Sequence, residues 1–124
     1  MPASIHPRAR RGIELFNKGE YFEAHEELEG AWLETQPPER DLYQGILQIG
    51  LAYYHISRGN YGGALKMFHR GQLKLENLSV SMMGINISQF IEDASIVESN
   101  LRDLGDLHTE KLNRDLIRPV PLIE

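Results

Sequence analysis

The chain nearly repeats itself at an offset of 40 residues: Gly19, Tyr21 and Ala24 recur as Gly59, Tyr61 and Ala64. The pattern G-x-Y-x-x-A therefore occurs twice, each time between two segments of helical periodicity. A glycine there ends one helix in a left-handed conformation. The tyrosine packs at the turn, and the alanine lets two helix backbones approach. The repeat predicts two helical hairpins, but the copies differ in chemistry. The first continues His25-Glu26-Glu27-Leu28-Glu29 to Trp32, and the second continues Leu65-Lys66-Met67-Phe68. Ionisable groups stand in one hairpin where core residues stand in its twin.

A chain of 124 residues fits one domain, and this size buries a core without covalent staples. Its 41% hydrophobic and 25% charged residues are ordinary for a globular protein. The absence of cysteine removes disulfides, thiolate nucleophiles, iron–sulfur clusters and cysteine zinc sites. It suits a reducing compartment, and a cytoplasmic location is the expectation. Met1 to Arg11 lacks the apolar run of a signal peptide. The longest apolar region, Ile46 to Ile56, is interrupted by Gln48 and His55 and falls short of a membrane span. The formal net charge of −5 opposes phosphate backbones, so neither nucleic acid nor membrane is an expected partner. Arg8, Arg10 and Arg11 read as a solvated helix face.

The periodicity predicts an all-α, compact antiparallel bundle of about five helices with an extended C-terminal tail. Two hairpins occupy 7–78, a further helix 86–104, and the tail 105–124. The first helix runs from about Pro7 to Lys18, with proline at a favoured first position and Gly19 as cap. The second runs from Tyr21 to Leu33 or Glu34. Tyr21, Ala24, His25, Leu28, Ala31 and Trp32 face inward, and Glu23, Glu26, Glu27 and Glu34 mostly outward. Pro37-Pro38 breaks the chain. The third helix, from Pro38 to Arg58, is apolar around much of its girth and belongs at the centre, with Gly45 and Gly50 marking close helix contacts. The fourth runs from Tyr61 to Asn77 behind the cap residue Asn60. Ser79 to Ile85 reads as a loop, and Asn86 with Gln89 resembles a capping box. The last helix carries the stripe Ile87, Phe90, Ile91, Ala94, Val97, Leu101 and Leu104. No segment sustains period-2 alternation, which predicts no sheet. The hairpins have the form of tetratricopeptide units, but the offset exceeds the usual ~34 residues and only two copies are present, which favours a bundle over a solenoid.

The chemistry gathers on two helices. His25 and Glu29 are four residues apart and present to one point, with Glu26 on the flank. Gln44, Gln48 and His55 share one side of the third helix and interrupt its apolar character. A buried polar group without a partner costs about 1–3 kcal/mol, so these groups should meet one another. In one reading they form a structural hydrogen-bond network. In the other, His25, Glu29 and His55, with Glu26, bind a divalent metal such as zinc, manganese or iron, or polarise a small substrate. H-E-E-L-E is neither H-E-x-x-H nor the E-x-x-H of di-iron bundles. Trp32 reads as core rather than a stacking platform, and Tyr53 and Tyr54 as packing groups. His6, His69 and His108 stand apart from other ligand types, and the methionines read as core and loop filler. No phosphate-cradling glycine loop and no G-x-S-x-G is present.

The run Phe16-Asn17-Lys18-Gly19-Glu20-Tyr21-Phe22-Glu23-Ala24-His25-Glu26-Glu27-Leu28-Glu29 with Trp32, and then Arg40, Gln44-Gly45, Gln48, His55, Gly59-Asn60 and Gly63-Ala64, resembles the signature of the domain of unknown function number 309 family. The resemblance covers about Arg8 to Leu78. It implies a small all-α domain of bacteria, archaea and plastids with no established activity. The helix-2 histidine and glutamates of the family pattern match His25, Glu26 and Glu29, and a later histidine matches His55.

Two functions fit. One is a helical interaction module that binds a protein partner or a second copy of itself, with an apolar or aromatic patch exposed near Tyr21, Tyr61 or the tail. The other is a metal-dependent or small-ligand-binding enzyme or sensor built on His25, Glu29 and His55.

Overall fold

The computed structural model describes residues 5–123. Five α-helices follow in order: α1 (Pro7–Asn17), α2 (Tyr21–Leu33), α3 (Glu39–Ser57), α4 (Tyr61–Leu75) and α5 (Ile87–Leu104). α3 packs against both α2 and α4, α1 against α2, and α5 against α4. This is the expected all-α bundle with a C-terminal tail.

The two G-x-Y turns close alike. Gly19 and Gly59 adopt φ of +80° and +71°. The amide of Gly19 donates to the carbonyl of Phe16 (2.9 Å) and that of Glu20 to Leu15 (2.9 Å). In the second copy Gly59 donates to Ile56 (3.0 Å) and Asn60 to His55 (2.8 Å). Both turns are Schellman motifs, which satisfy the last carbonyls of α1 and α3. Each alanine of the pattern is fully buried in the following helix.

Small residues set the helix crossings. A Cβ on Gly45 would stand 2.5 Å from the Leu75 side chain, and one on Gly71 would stand 3.3 Å from the Gly45 carbonyl. Only hydrogen fits where α3 crosses α4. A Cβ on Gly50 would meet the Phe16 ring at 3.2 Å. Phe16 is the hub of the aromatic core: Tyr21, Tyr53 and Phe90 all meet it edge-on, at 5.2, 5.8 and 5.8 Å between centroids. Phe68 of α4 joins through Tyr53 at 5.8 Å.

The link between the two hairpins and α5 departs from expectation. The Ser79–Ile85 segment is not wholly loop: Ser81–Met82 (β1) and Ile85–Asn86 (β2) pair antiparallel, with Ser81 opposite Asn86 and Met82 opposite Ile85. Met83 and Gly84 turn between them with φ of +52° and +79°, the sign pattern of a type I′ hairpin. Two-residue strands are too short to show alternation, which is why the sequence predicts no sheet. The tail forms 3₁₀ turns at Asp106–Lys111 and Arg114–Leu116 before running extended. It is tied at two places. The Val120 amide donates to Asn17 Oδ1 (2.8 Å), and Asn86 and Ile123 bond the hairpin strand to the last residues (2.9 and 2.8 Å).

Among the described residues, no helix is long and apolar enough to cross a membrane.

Candidate functional site

The contacts of Phe22 with Tyr54 and of Trp32 with Arg40 fix α2 and α3 as antiparallel neighbours. That register sets Gln48 level with the His25–Glu29 turn and puts His55 beyond Tyr54, toward the start of α2.

His25 and Glu29 meet as expected, with Nε2 of the ring 3.6 Å from the carboxylate. The ring is mostly covered and the carboxylate half exposed. Nδ1 of His25 is buried without a hydrogen-bond partner, and so is Oε1 of Gln48. Gln44 is half-buried on the same helix. The polar groups expected to satisfy one another are therefore only partly satisfied.

His55 does not join them. Its Nδ1 lies 3.3 Å from Nδ2 of Asn60, so the ring bonds within its own turn. Burial holds its pKa below the ordinary imidazole value. His25 and His55 instead stand at the two ends of a row of rings. His25 contacts Phe22 (5.7 Å), Phe22 contacts Tyr54 (5.6 Å), and Tyr54 contacts His55 (6.0 Å). Glu26 also turns elsewhere. With Glu20, Glu23, Glu27, Arg8, Arg11 and Leu15 it lines an open groove of about 470 Å³ between α1 and α2. The guanidinium of Arg8 spans this groove, donating to the Glu27 carboxylate and the Glu26 carbonyl at 3.1 Å each. Among the described residues, no three His, Asp or Glu side chains are placed to hold a metal ion. Helical spacing puts His55 on the correct side of α3, but the antiparallel register carries it past His25 and Glu29.

Other residues have roles the sequence does not display. His6 caps α1, its Nδ1 accepting from the Arg8 amide at 3.0 Å. Trp32 packs half-buried against the core, with the Arg40 guanidinium 5.3 Å from its ring centroid. Phe22 lies 47% exposed although the repeat places it beside a packing tyrosine. Its position on the outer side of a helix whose inner side carries Tyr21 is the one signal that could have found it.

The acidic residues of α2 complete the picture. Glu23, Glu26, Glu27 and Glu29 share one helix that contains no lysine or arginine, flanked by Glu20 and Glu34. The apolar ring row is thus bordered by the negative charge of α2.

Residues 9–67 match the family model described as Domain of unknown function (DUF309). The chain is 32% identical over 83 residues to the uncharacterized protein YpuF of Bacillus subtilis (strain 168), an alignment covering 64% of this chain and 48% of that protein. The chain thus spans about half the length of the curated relative it matches. No solved structure matches it. The matched residues 9–67, which hold the two G-x-Y turns, His25, Phe22 and Tyr54, are thus the part of the chain that is similar to the family described as Domain of unknown function (DUF309).

Proposed function

We propose that this chain is a protein-interaction module whose working face is the outer side of α2 with the adjoining edge of α3. The observation that carries the reading is the ring row His25–Phe22–Tyr54–His55, in which a large apolar ring is 47% exposed. Aromatic anchors of this kind supply most of the energy in protein interfaces. The partner that fits is a basic segment presenting one apolar side chain: the anchor sits by Phe22 and Tyr54, and a Lys or Arg faces Glu29, beside His25. Paired hairpins of tetratricopeptide form suit such a surface, and a cysteine-free chain suits the cytoplasm.

The test uses two synthetic amphipathic helices with the same apolar residues, one rich in Lys and Arg and the other in Glu. Fluorescence anisotropy should show the basic peptide binding, with affinity falling as salt rises. Phe22→Ser should weaken it about tenfold or more. Equal binding of the acidic peptide, or no loss in Phe22→Ser, overturns the reading. Light scattering on the same variant tests a second copy as occupant: a dimer that Phe22→Ser dissolves replaces the basic partner with the chain itself.

The 3.6 Å contact of His25 with Glu29, four residues apart on α2, favours a second, structural reading, in which the pair serves only to brace that helix. A metal-dependent enzyme built on His25, Glu29 and His55 finds no support in the arrangement of those side chains.

A further inference from the structure

A hollow of about 300 Å³ lies where the α1–α2 turn, the end of α3 and the tail meet, and of the ring row it shares Tyr54 alone. It is lined by Gly19, Tyr21, Tyr54, Ser57, Arg114 and Ile117. Its composition is unusual for this chain. Acidic residues outnumber basic ones by 18 to 13 overall, yet no carboxylate lines the hollow. Arg114 makes no ion pair with any described residue, although Asp115 follows it directly. Its guanidinium is close enough to the Tyr21 hydroxyl to oppose the upward shift that burial imposes on that phenol.

The wall that carries Arg114 is built rather than loose. Asn113 Oδ1 accepts from the Asp115 amide at 3.0 Å, and Ile117 donates back to the Arg114 carbonyl at 3.1 Å. The Val120–Asn17 bond then fastens the tail to the end of α1. On the opposite wall, the Ser57 hydroxyl donates to the Tyr54 carbonyl at 2.5 Å. The carbonyls at the ends of α1 and α3, which would repel an anion, are occupied by the two Schellman turns.

The geometry points to a binding site for a small organic carboxylate with a flat apolar body. The Arg114 fork takes the carboxylate, and the Tyr21 and Tyr54 rings with Ile117 flank the body. A planar guanidinium matches a carboxylate in bidentate fashion, and the volume sits at the small end of ligand pockets, which run from about 300 Å³ upward. The six lining residues come from both hairpins and the tail, so the site exists only in the assembled fold.

The experiment titrates the full chain with benzoate and 2-naphthoate, using benzamide as the uncharged isostere and inorganic phosphate as the bare anion. Binding is read by calorimetry and by amide shifts in NMR. The expected result is binding of both carboxylates at about millimolar or tighter, with shifts at Gly19, Tyr21 and Ser57. Benzamide and phosphate should be at least about tenfold weaker. Arg114→Gln should lose that advantage and Arg114→Lys should retain only part of it. Arg114 is exposed, so neither variant threatens the fold. The inference is overturned by absence of binding at 10-fold above about 1 mM, by benzamide or phosphate matching benzoate, or by unchanged affinity in Arg114→Gln. Arg114 lies outside the ring row of α2 and α3, so Arg114→Gln leaves basic-peptide binding intact, and failure here and failure of the peptide-binding reading are distinguishable.

Discussion

The ring of His55 stands 3.3 Å, Nδ1 to Nδ2, from the amide of Asn60, whose own Oδ1 accepts from the Gly63 backbone at 2.9 Å. One asparagine thus links the last turn of α3 to the first turn of α4. At the equivalent place in the first hairpin, Glu20 has nearly the same backbone (φ −91°, ψ 67° against −94°, 82°) but makes no side-chain cap. Asn60→Ala should therefore destabilise the fold by about 1 kcal/mol. Glu20→Asn, which copies the cap into the first turn, should stabilise it by roughly half to one kcal/mol. Urea denaturation of the two variants checks both signs.

Stability should also carry a histidine signature from the same turn. Burial lowers the pKa of His55 in the folded chain below its ordinary 6.5. Between the lowered value and 6.5, the unfolded chain holds more protons than the folded one, so stability rises with pH across that window. It is complete above 6.5 and declines as pH falls. Thermal melts from pH 8 to pH 5 should show a shallower acid decline in His55→Gln than in the parent.

Gln48 separates stability from recognition. Its Oε1 is buried without a partner, an arrangement that costs about 1–3 kcal/mol. Gln48→Met should accordingly raise stability by about 1 kcal/mol in chemical denaturation. If the polar atom only braces α2 against α3, stability falls instead.

Tyr53 poses the same question in the aromatic core. Its hydroxyl is buried and unpartnered, and its pKa is pushed well up by burial. Tyr53→Phe should leave the protein as stable as before or more so, by up to about 1 kcal/mol. Tyr53→Ala, which opens a cavity against Phe16, Tyr21 and Phe68, should cost about 3–5 kcal/mol.

Two glycines of α4 should respond in opposite directions to the same substitution. At Gly62 an added Cβ meets nothing within 4 Å, so Gly62→Ala should gain roughly 0.5–1 kcal/mol through helix propensity. At Gly71 the Cβ would lie 2.8 Å from Ile49 and 3.3 Å from the Gly45 carbonyl. Gly71→Ala should lose about 1–2 kcal/mol after that same gain, because α4 must move off α3. Paired melting curves decide it.

Most of the architecture could be read from the residues because it rests on local chemistry. Gly19 and Gly59 announce their turns by conformational need, and the α5 stripe from Ile87 to Leu104 is nearly all buried or half-buried. Helix ends shifted by a residue or two: α3 begins at Glu39 rather than Pro38, and α4 ends at Leu75 rather than Asn77. The candidate site was legible only in part, for a different reason. His25 and Glu29 share a helix, so spacing alone brings them together. Whether His55 reaches them depends on the register between α2 and α3, which Phe22–Tyr54 and Trp32–Arg40 settle and which no single helix encodes. The Ser81–Asn86 hairpin and the docking of the tail depend on backbone bonds between distant segments, such as Val120 to Asn17, and leave no periodic trace.

The family match stops at residue 67, inside α4, one position before Phe68. Two of the rings that close the aromatic hub come later: Phe68 itself and Phe90 from α5. The shared hairpins are a floor without a ceiling. A protein that keeps those hairpins but carries a different sequence beyond them must shelter Phe16 and Tyr53 by other means, whether with an unrelated helix, a neighbouring domain or a companion subunit.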